Sequence, residues 1–157
     1  MINLARMFSQ GVEISVELLQ EVYSQGDCIN GKVLIKAGPK APCHVTQIVI
    51  TLVAGDWVES GHNKTFLETS KEYKVNRKIR ASELVEIPFS FFIPTKQPIT
   101  TGVTKDKILS EGPHEGIYSV LIASAKIKGG LDVETEGGYF IKVIWRYQWG
   151  EKVLINS

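Results

Sequence analysis

The sequence predicts an all-β protein built as a two-layer, mostly antiparallel sandwich. Three observations carry that expectation. Apolar and polar residues alternate with period two along most of the chain, while the period of an amphipathic helix is nearly absent. About eight such runs are separated by stretches holding Gly, Pro or Asn, the spacing of sandwich strands, with no helices between them. No Gly/Ser or Pro-rich linker, low-complexity tract or fixed-period repeat divides the chain, so residues 1–157 read as one domain.

Taken in order, Met1 to Gln10 has the one helical spacing, through Ile2, Ala5 and Phe8. Residues 1–11 therefore read as a short N-terminal docking helix or a frayed arm. Val12, Ile14, Val16 and Leu18 alternate with Glu13, Ser15 and Glu17 as a half-buried strand. Ile29, Gly31, Val33 and Ile35 alternate with Asn30, Lys32 and Lys36. Asn30-Gly31 alone would suggest a hairpin turn, but the apolar face runs through it without a phase break. A strand passing through Gly31, with a bulge or close backbone contact there, is expected. Ala37 to Pro42 is loop chemistry. Ile48 to Val53 is apolar apart from Thr51, as in a strand covered on both faces.

Tyr73, Val75 and Ile79 fall on one strand face, opposite Lys74, Lys78 and Arg80. Val85, Ile87, Phe89, Phe91 and Ile93 give the strongest alternation of the first hundred residues. Pro88 inside it marks an edge strand or a bulge. Thr95 to Gly116 reads as a long loop, and Tyr118 to Ile127 as a strand. Glycines at 129, 130, 137 and 138 bracket a short acidic stretch. Tyr139, Ile141, Val143, Trp145, Tyr147 and Trp149 then alternate, and Val153 to Ile155 suits a last short strand. Val33, Ile35, Ile50, Phe89, Phe91 and Val120 are the expected core.

Composition excludes several classes. An apolar fraction of 43% with 22% charged residues argues against disorder. Eighteen basic against 17 acidic residues leave a net charge of +1, with no global footprint for nucleic acid or anionic lipid. Two cysteines exclude a disulfide-dense scaffold. No run approaches the roughly 18 apolar residues of a membrane helix. The first ten residues lack the apolar core of a secretion signal. The expectation is a cytoplasmic protein with no integral membrane segment and free thiols at Cys28 and Cys43.

Candidate chemistry is sparse. Gly26 to Lys32 has the spacing of a phosphate-binding loop, but Val33 stands where Ser or Thr should hold magnesium, and a strand follows where a helix should. Cys43 and His44 are strand neighbours pointing to opposite faces, so they form no nucleophile–base pair. No zinc spacing accompanies Cys28 and Cys43. His62 and His114 fall in loop-like stretches and read as solvated. Asn63-Lys64-Thr65 matches a glycosylation sequon without a secretion signal. Asp132, Glu134 and Glu136 lack the pattern of a calcium loop and read as a polar outer face. No cofactor, metal or catalytic residue is expected. The basic cluster of Lys71, Lys74, Arg77, Lys78 and Arg80 reads either as a patch for an acidic or phosphorylated partner or as a solvated edge where lysine discourages pairing.

The strand pattern also resembles a family. Val12 to Leu18, then Tyr23-Ser24-Gln25-Gly26-Asp27, then Ile29-Asn30-Gly31-Lys32-Val33-Leu34-Ile35 is similar to the opening of arrestin-fold proteins. Glu86-Ile87-Pro88-Phe89-Ser90-Phe91-Phe92-Ile93-Pro94 followed by Pro98-Ile99-Thr100 resembles a later segment of the same family. In wording the sequence is closest to the sporulation-control, stage-zero M branch, with similar counterparts at Lys71 to Val75 and Gly130 to Val133. The resemblance implies an immunoglobulin-like sandwich equivalent to the N-terminal half of an arrestin. The positions that transfer are structural: Gly26, Asp27, Gly31, Pro88, Phe89, Phe91 and Pro94. Two departures matter. Arrestin relatives carry two sandwiches, and this sequence stops where a second should begin. Phosphate-sensing relatives place lysines on the first strand, which here carries Glu13 and Glu17.

The functional expectation is a non-catalytic interaction or scaffold module that binds protein partners through a sheet edge or loops, in regulation or trafficking. Trp145, Tyr147, Trp149, Lys74, Lys78 and Arg80 are its candidate contact residues. The aromatic stripe at 139–149 suits a partner or a homo-oligomer, or else continues the core. The alternative is a carbohydrate-binding sandwich that stacks sugars on exposed Trp57, Trp145 and Trp149.

Overall fold

The computed structural model describes residues 11–56, 64–94 and 117–145. Every regular element among them is a strand: β1 (Glu13–Leu18), β2 (Val22–Ser24), β3 (Cys28–Lys36), β4 (Cys43–Asp56), β5 (Lys64–Ile79), β6 (Leu84–Phe92), β7 (Ile117–Ile127), β8 (Val133–Glu134) and β9 (Tyr139–Ile144). They form two sheets. One has three strands in the order β1-β3-β6, and the other runs β2-β9-β7-β4-β5, with β8 added beside β7. All pairings are antiparallel except β2 with β9, which is parallel. The sandwich is therefore as expected, with one parallel pair that the alternation did not announce. The expected N-terminal arm, the loop at 95–116 and the strand at 153–155 lie outside the described residues.

The core lies between the sheets. The small sheet contributes Ile14, Val16, Ile29, Val33, Ile35, Val85, Phe89 and Phe91, and the large one Ile48, Ile50, Leu52, Leu121, Ala123, Ile141 and Val143, all buried. All six expected core residues are buried. Val120 alone among them faces outward, beside Val53 of β4, where the backbone at Gly138 rests on it.

Gly31 sits within β3, opposite Leu18 of β1 and Phe89 of β6. A Cβ there would lie 2.5 Å from the carbonyl oxygen of Glu17 and 3.2 Å from the Phe89 ring. A backbone oxygen cannot yield as a side chain would, so the absence of a side chain lets the ring settle against the strand. Pro88 occupies β6, an edge strand. Ser90 turns its carbonyl away from β3, where it accepts the Tyr73 hydroxyl at 2.6 Å. Pro88, two residues earlier, shares that outward direction, so its missing N–H removes no ladder bond.

The turn after β2 carries the chain from one sheet to the other. Asp27 N–H donates to the Ser24 carbonyl at 3.0 Å, and Ser24 N–H donates to Asp27 Oδ2 at 2.8 Å. Gly26 stands at φ +90, a conformation that a Cβ disfavours. The turn is bonded to the end of β6: Gly26 N–H to the Ile93 carbonyl, and Ile93 N–H to the Asp27 carbonyl, each at 2.9 Å.

The strand around Ile48 to Val53 departs from expectation. It runs from Cys43 to Asp56, and its second face is only half-buried at Val49 and Val53. A bulge at Thr46 shifts its register against both neighbours. Inward residues are even-numbered from Ile48 onward and odd-numbered at Cys43 and Val45.

Phe91→Ala should lower stability by about 3–5 kcal/mol, and Gly31→Ala by about 1–3 kcal/mol through overpacking. Urea denaturation of both variants measures this. A loss under about 1 kcal/mol for Phe91→Ala would show that the ring does not sit between the sheets.

Candidate interaction surface

Binding surfaces on a sandwich are faces, edges and loops. The small sheet's edges are each engaged by a tyrosine of the large sheet. Val16 N–H on β1 donates to the Tyr139 hydroxyl at 3.1 Å, and Tyr73 closes on Ser90 of β6. At the ends of the large sheet stand β2, three residues long, and β5, sixteen residues long. β5 is the long open edge among the described residues.

Side chains of β5 alternate as expected. Tyr73, Val75 and Ile79 turn inward, while Lys74 and Lys78 lie on the outer face. Arg80 departs from the expectation of a shared strand face. The strand stops at Ile79, and Arg80 begins a turn in which its N–H donates to Glu83 Oε1 at 2.9 Å and its Nε lies 3.7 Å from the same oxygen. The backbone bond, helped by the Arg80 and Arg77 charges, holds the Glu83 carboxyl below its ordinary range. This contribution is present above the ordinary glutamate pKa and is lost as pH falls through the lowered value.

The register adds three residues to Lys74 and Lys78. Lys74 lies beside Gln47 of β4, and Gln47 beside Lys126 of β7. One step further, Lys78 lies beside His44, whose carbonyl accepts the Lys128 N–H at 2.9 Å. At about 4.8 Å per strand, Lys74 and Lys126 stand about 10 Å apart. A depression of about 400 Å³ opens at this corner, lined by Pro42, Cys43, His44, Lys78, Ile127 and Lys128. The preceding row carries Glu72 and Glu134, so the outer face changes sign along its length.

The bulges shape this corner. Thr46 Oγ1 donates to the Lys126 carbonyl at 3.2 Å. Opposite it on β5, Asn76 takes φ +47, and its Oδ1 lies 2.6 Å from His44 Nε2. The phase shift in β4 is what puts both His44 and Gln47 outside. Lys126 was legible as the outward position of the strand ending at Ile127; His44 was not, because bulge placement leaves no periodic signal.

Trp145, expected at a contact surface, is buried. It is 1% exposed, and its indole N–H donates to Ser119 Oγ at 2.9 Å in the protein's own core. Tyr139, Ile141 and Val143 likewise face inward, so the described part of the aromatic stripe continues the core. Tyr147 and Trp149 lie outside the described residues, as does Trp57. The carbohydrate reading thereby loses one of its three indoles.

The remaining sequence motifs resolve structurally. The Gly26 to Lys32 segment is the crossing turn leading into β3, with no helix after it. Cys43 is buried and His44 points to the other face. Burial raises the Cys43 thiol pKa, while Cys28 is exposed, and both are free. Asp132, Glu134 and Glu136 are all exposed, and among the described residues no three His, Cys, Asp or Glu side chains gather as a metal site. No helix among the described residues is long and apolar enough to cross a membrane. Glu13 and Glu17 face solvent on β1.

These features define an arrestin-like β-sandwich whose polar side chains are spread over a face and an edge. The model of the Spo0M family, described as SpoOM protein, matches residues 3–134, and the chain belongs to that family. A crystal structure of Spo0M, a sporulation control protein from Bacillus subtilis, is similar at 22% identity with a TM-score of 0.59. The match covers 92% of this chain and 53% of that one, so this chain spans about half the length of that protein. At that identity the likeness shows the fold. Among curated proteins none matches.

Without reductant, a thiol reagent should label Cys28 of the folded protein at once and Cys43 only on unfolding, with both labelled in the denatured chain. Intact mass reads the result, and an unlabelled denatured chain would contradict the free thiols.

Proposed function

We propose that this chain is a non-catalytic regulatory module of the sporulation-control family that binds an acidic protein partner through the basic corner of its large sheet. One observation carries the reading: β5, β4 and β7 bring Lys74, Lys78, Lys126, Lys128 and His44 together, five basic side chains in two neighbouring rows. Clustered cations of one sign steer an oppositely charged partner and fix its orientation. An exposed free thiol at Cys28 suits the reducing cytoplasm.

Native lysate passed over the immobilised wild type should yield one defined protein, released at about 1 M salt, where the screening length falls to about 3 Å. The Lys78→Glu/Lys126→Glu variant should lose it while keeping the wild-type circular dichroism spectrum. Retention of the same partner by that variant defeats the proposal, as does binding only to glycans on an array.

A further inference from the structure

The charges of β5 have no complement within their own sheet. On its outer face, Glu72 lies opposite Val49 and Lys74 opposite Gln47. Neither makes an ion pair among the described residues. Among the described residues, no strand lies on the other side of β5, which ends the sheet. An edge strand exposes a row of unpaired backbone groups, and an added antiparallel strand would use them.

We propose that β5 pairs with β5 of a second copy of this chain about a two-fold axis at Tyr73, making one continuous sheet from two. The sequence of the strand selects this occupant and register. In an antiparallel pair, facing residues share a sheet face, so a two-fold pairing centres on one residue. Centring on Ser70 sets Glu68 against Glu72. Centring on Lys71, Glu72 or Lys74 sets a charge against its own copy. Centring on Tyr73 sets Glu72 against Lys74 of the second copy, and Lys74 against its Glu72. Lys71 then faces Val75, and no like charges oppose. The stretch Lys71–Val75 that this pairing uses ends before Asn76, where the bulge breaks the edge. Glu72 and Lys74 are both exposed, and Lys71 Nζ already lies 5.1 Å from the Tyr73 ring centroid, beside the axis. Facing charges of unlike sign stabilise a strand pair, and like charges oppose it. The pairing leaves Lys78, Lys126, Lys128 and His44 outside the contact and shares only Lys74 with the basic corner.

Charge reversal distinguishes this contact from any other self-association. By light scattering after size-exclusion chromatography, the full chain should run at twice its own mass. Glu72→Lys alone sets a second cation against each Lys74, and Lys74→Glu alone sets a second carboxylate against each Glu72, so each variant should run as a monomer. The double variant Glu72→Lys/Lys74→Glu restores unlike facing charges and should return to the dimer. An equimolar mixture of the two single variants should form a heterodimer, since one copy then offers two cations and the other two anions. The Lys78→Glu/Lys126→Glu variant should stay dimeric whether or not it loses its acidic partner. A wild type that stays monomeric at high micromolar concentration overturns the proposal, as do single variants that remain dimeric or a mixture that remains monomeric.

Discussion

The turn at Ser24 to Asp27 is the constraint on which the rest of the structure depends. The chain leaves the large sheet at β2 and enters the small one at β3 within a few residues, so these residues fix the offset of the two sheets. The turn is bonded to itself through Asp27, to the end of β6 through Gly26 and Ile93, and to β9 through Gln25 N–H on the Ile144 carbonyl at 3.4 Å. Elements far apart in sequence therefore meet at one point. Tyr23, buried beside it, donates its hydroxyl to the Gln20 carbonyl, and burial raises its pKa. With that offset set, Phe89 falls against Gly31 and the inner faces interdigitate.

Much of this was legible in the sequence, because period two is a direct consequence of pleating. Gly31 showed itself as an unbroken apolar phase across a turn-like dipeptide. Pro88 marked an edge or a bulge, of which the edge is found, and Asp27 after Gly26 marked the turn. What stayed hidden has physical causes. β2 and β8 are three and two residues long, too short for any alternation. The first half of β5 is an edge whose outer face is polar and whose inner face carries Thr69 and Lys71, so its pattern barely contrasts. The outward fate of Val120 depends on what Gly138 brings over it, a tertiary event.

The candidate surface was half legible. Lys74 and Lys78 followed from parity alone. Arg80 failed because parity says nothing about where a strand stops, and Glu83 three residues on captures its N–H. Trp145 failed for a different reason. An alternating aromatic stripe is the same signal whether its face meets the domain's own core or a partner. Only a burial site with an acceptor for the indole N–H, here Ser119, distinguishes the two.

A face and an edge recognise different things. A partner on the outer face of a complete sheet meets side chains only, because the backbone groups there are spent on neighbouring strands. Its binding is governed by charge sign and screening. A partner on the open side of β5 meets backbone N–H and C=O groups that any strand can satisfy, so side-chain charges there select which strand and register is admitted. The bulge at Asn76 separates the two regimes within one strand. Beyond it, Lys78 and His44 belong to the face. Before it, Glu72 and Lys74 stand along an edge straight enough to pair. A single strand thus presents two chemically distinct surfaces, which meet at Lys74.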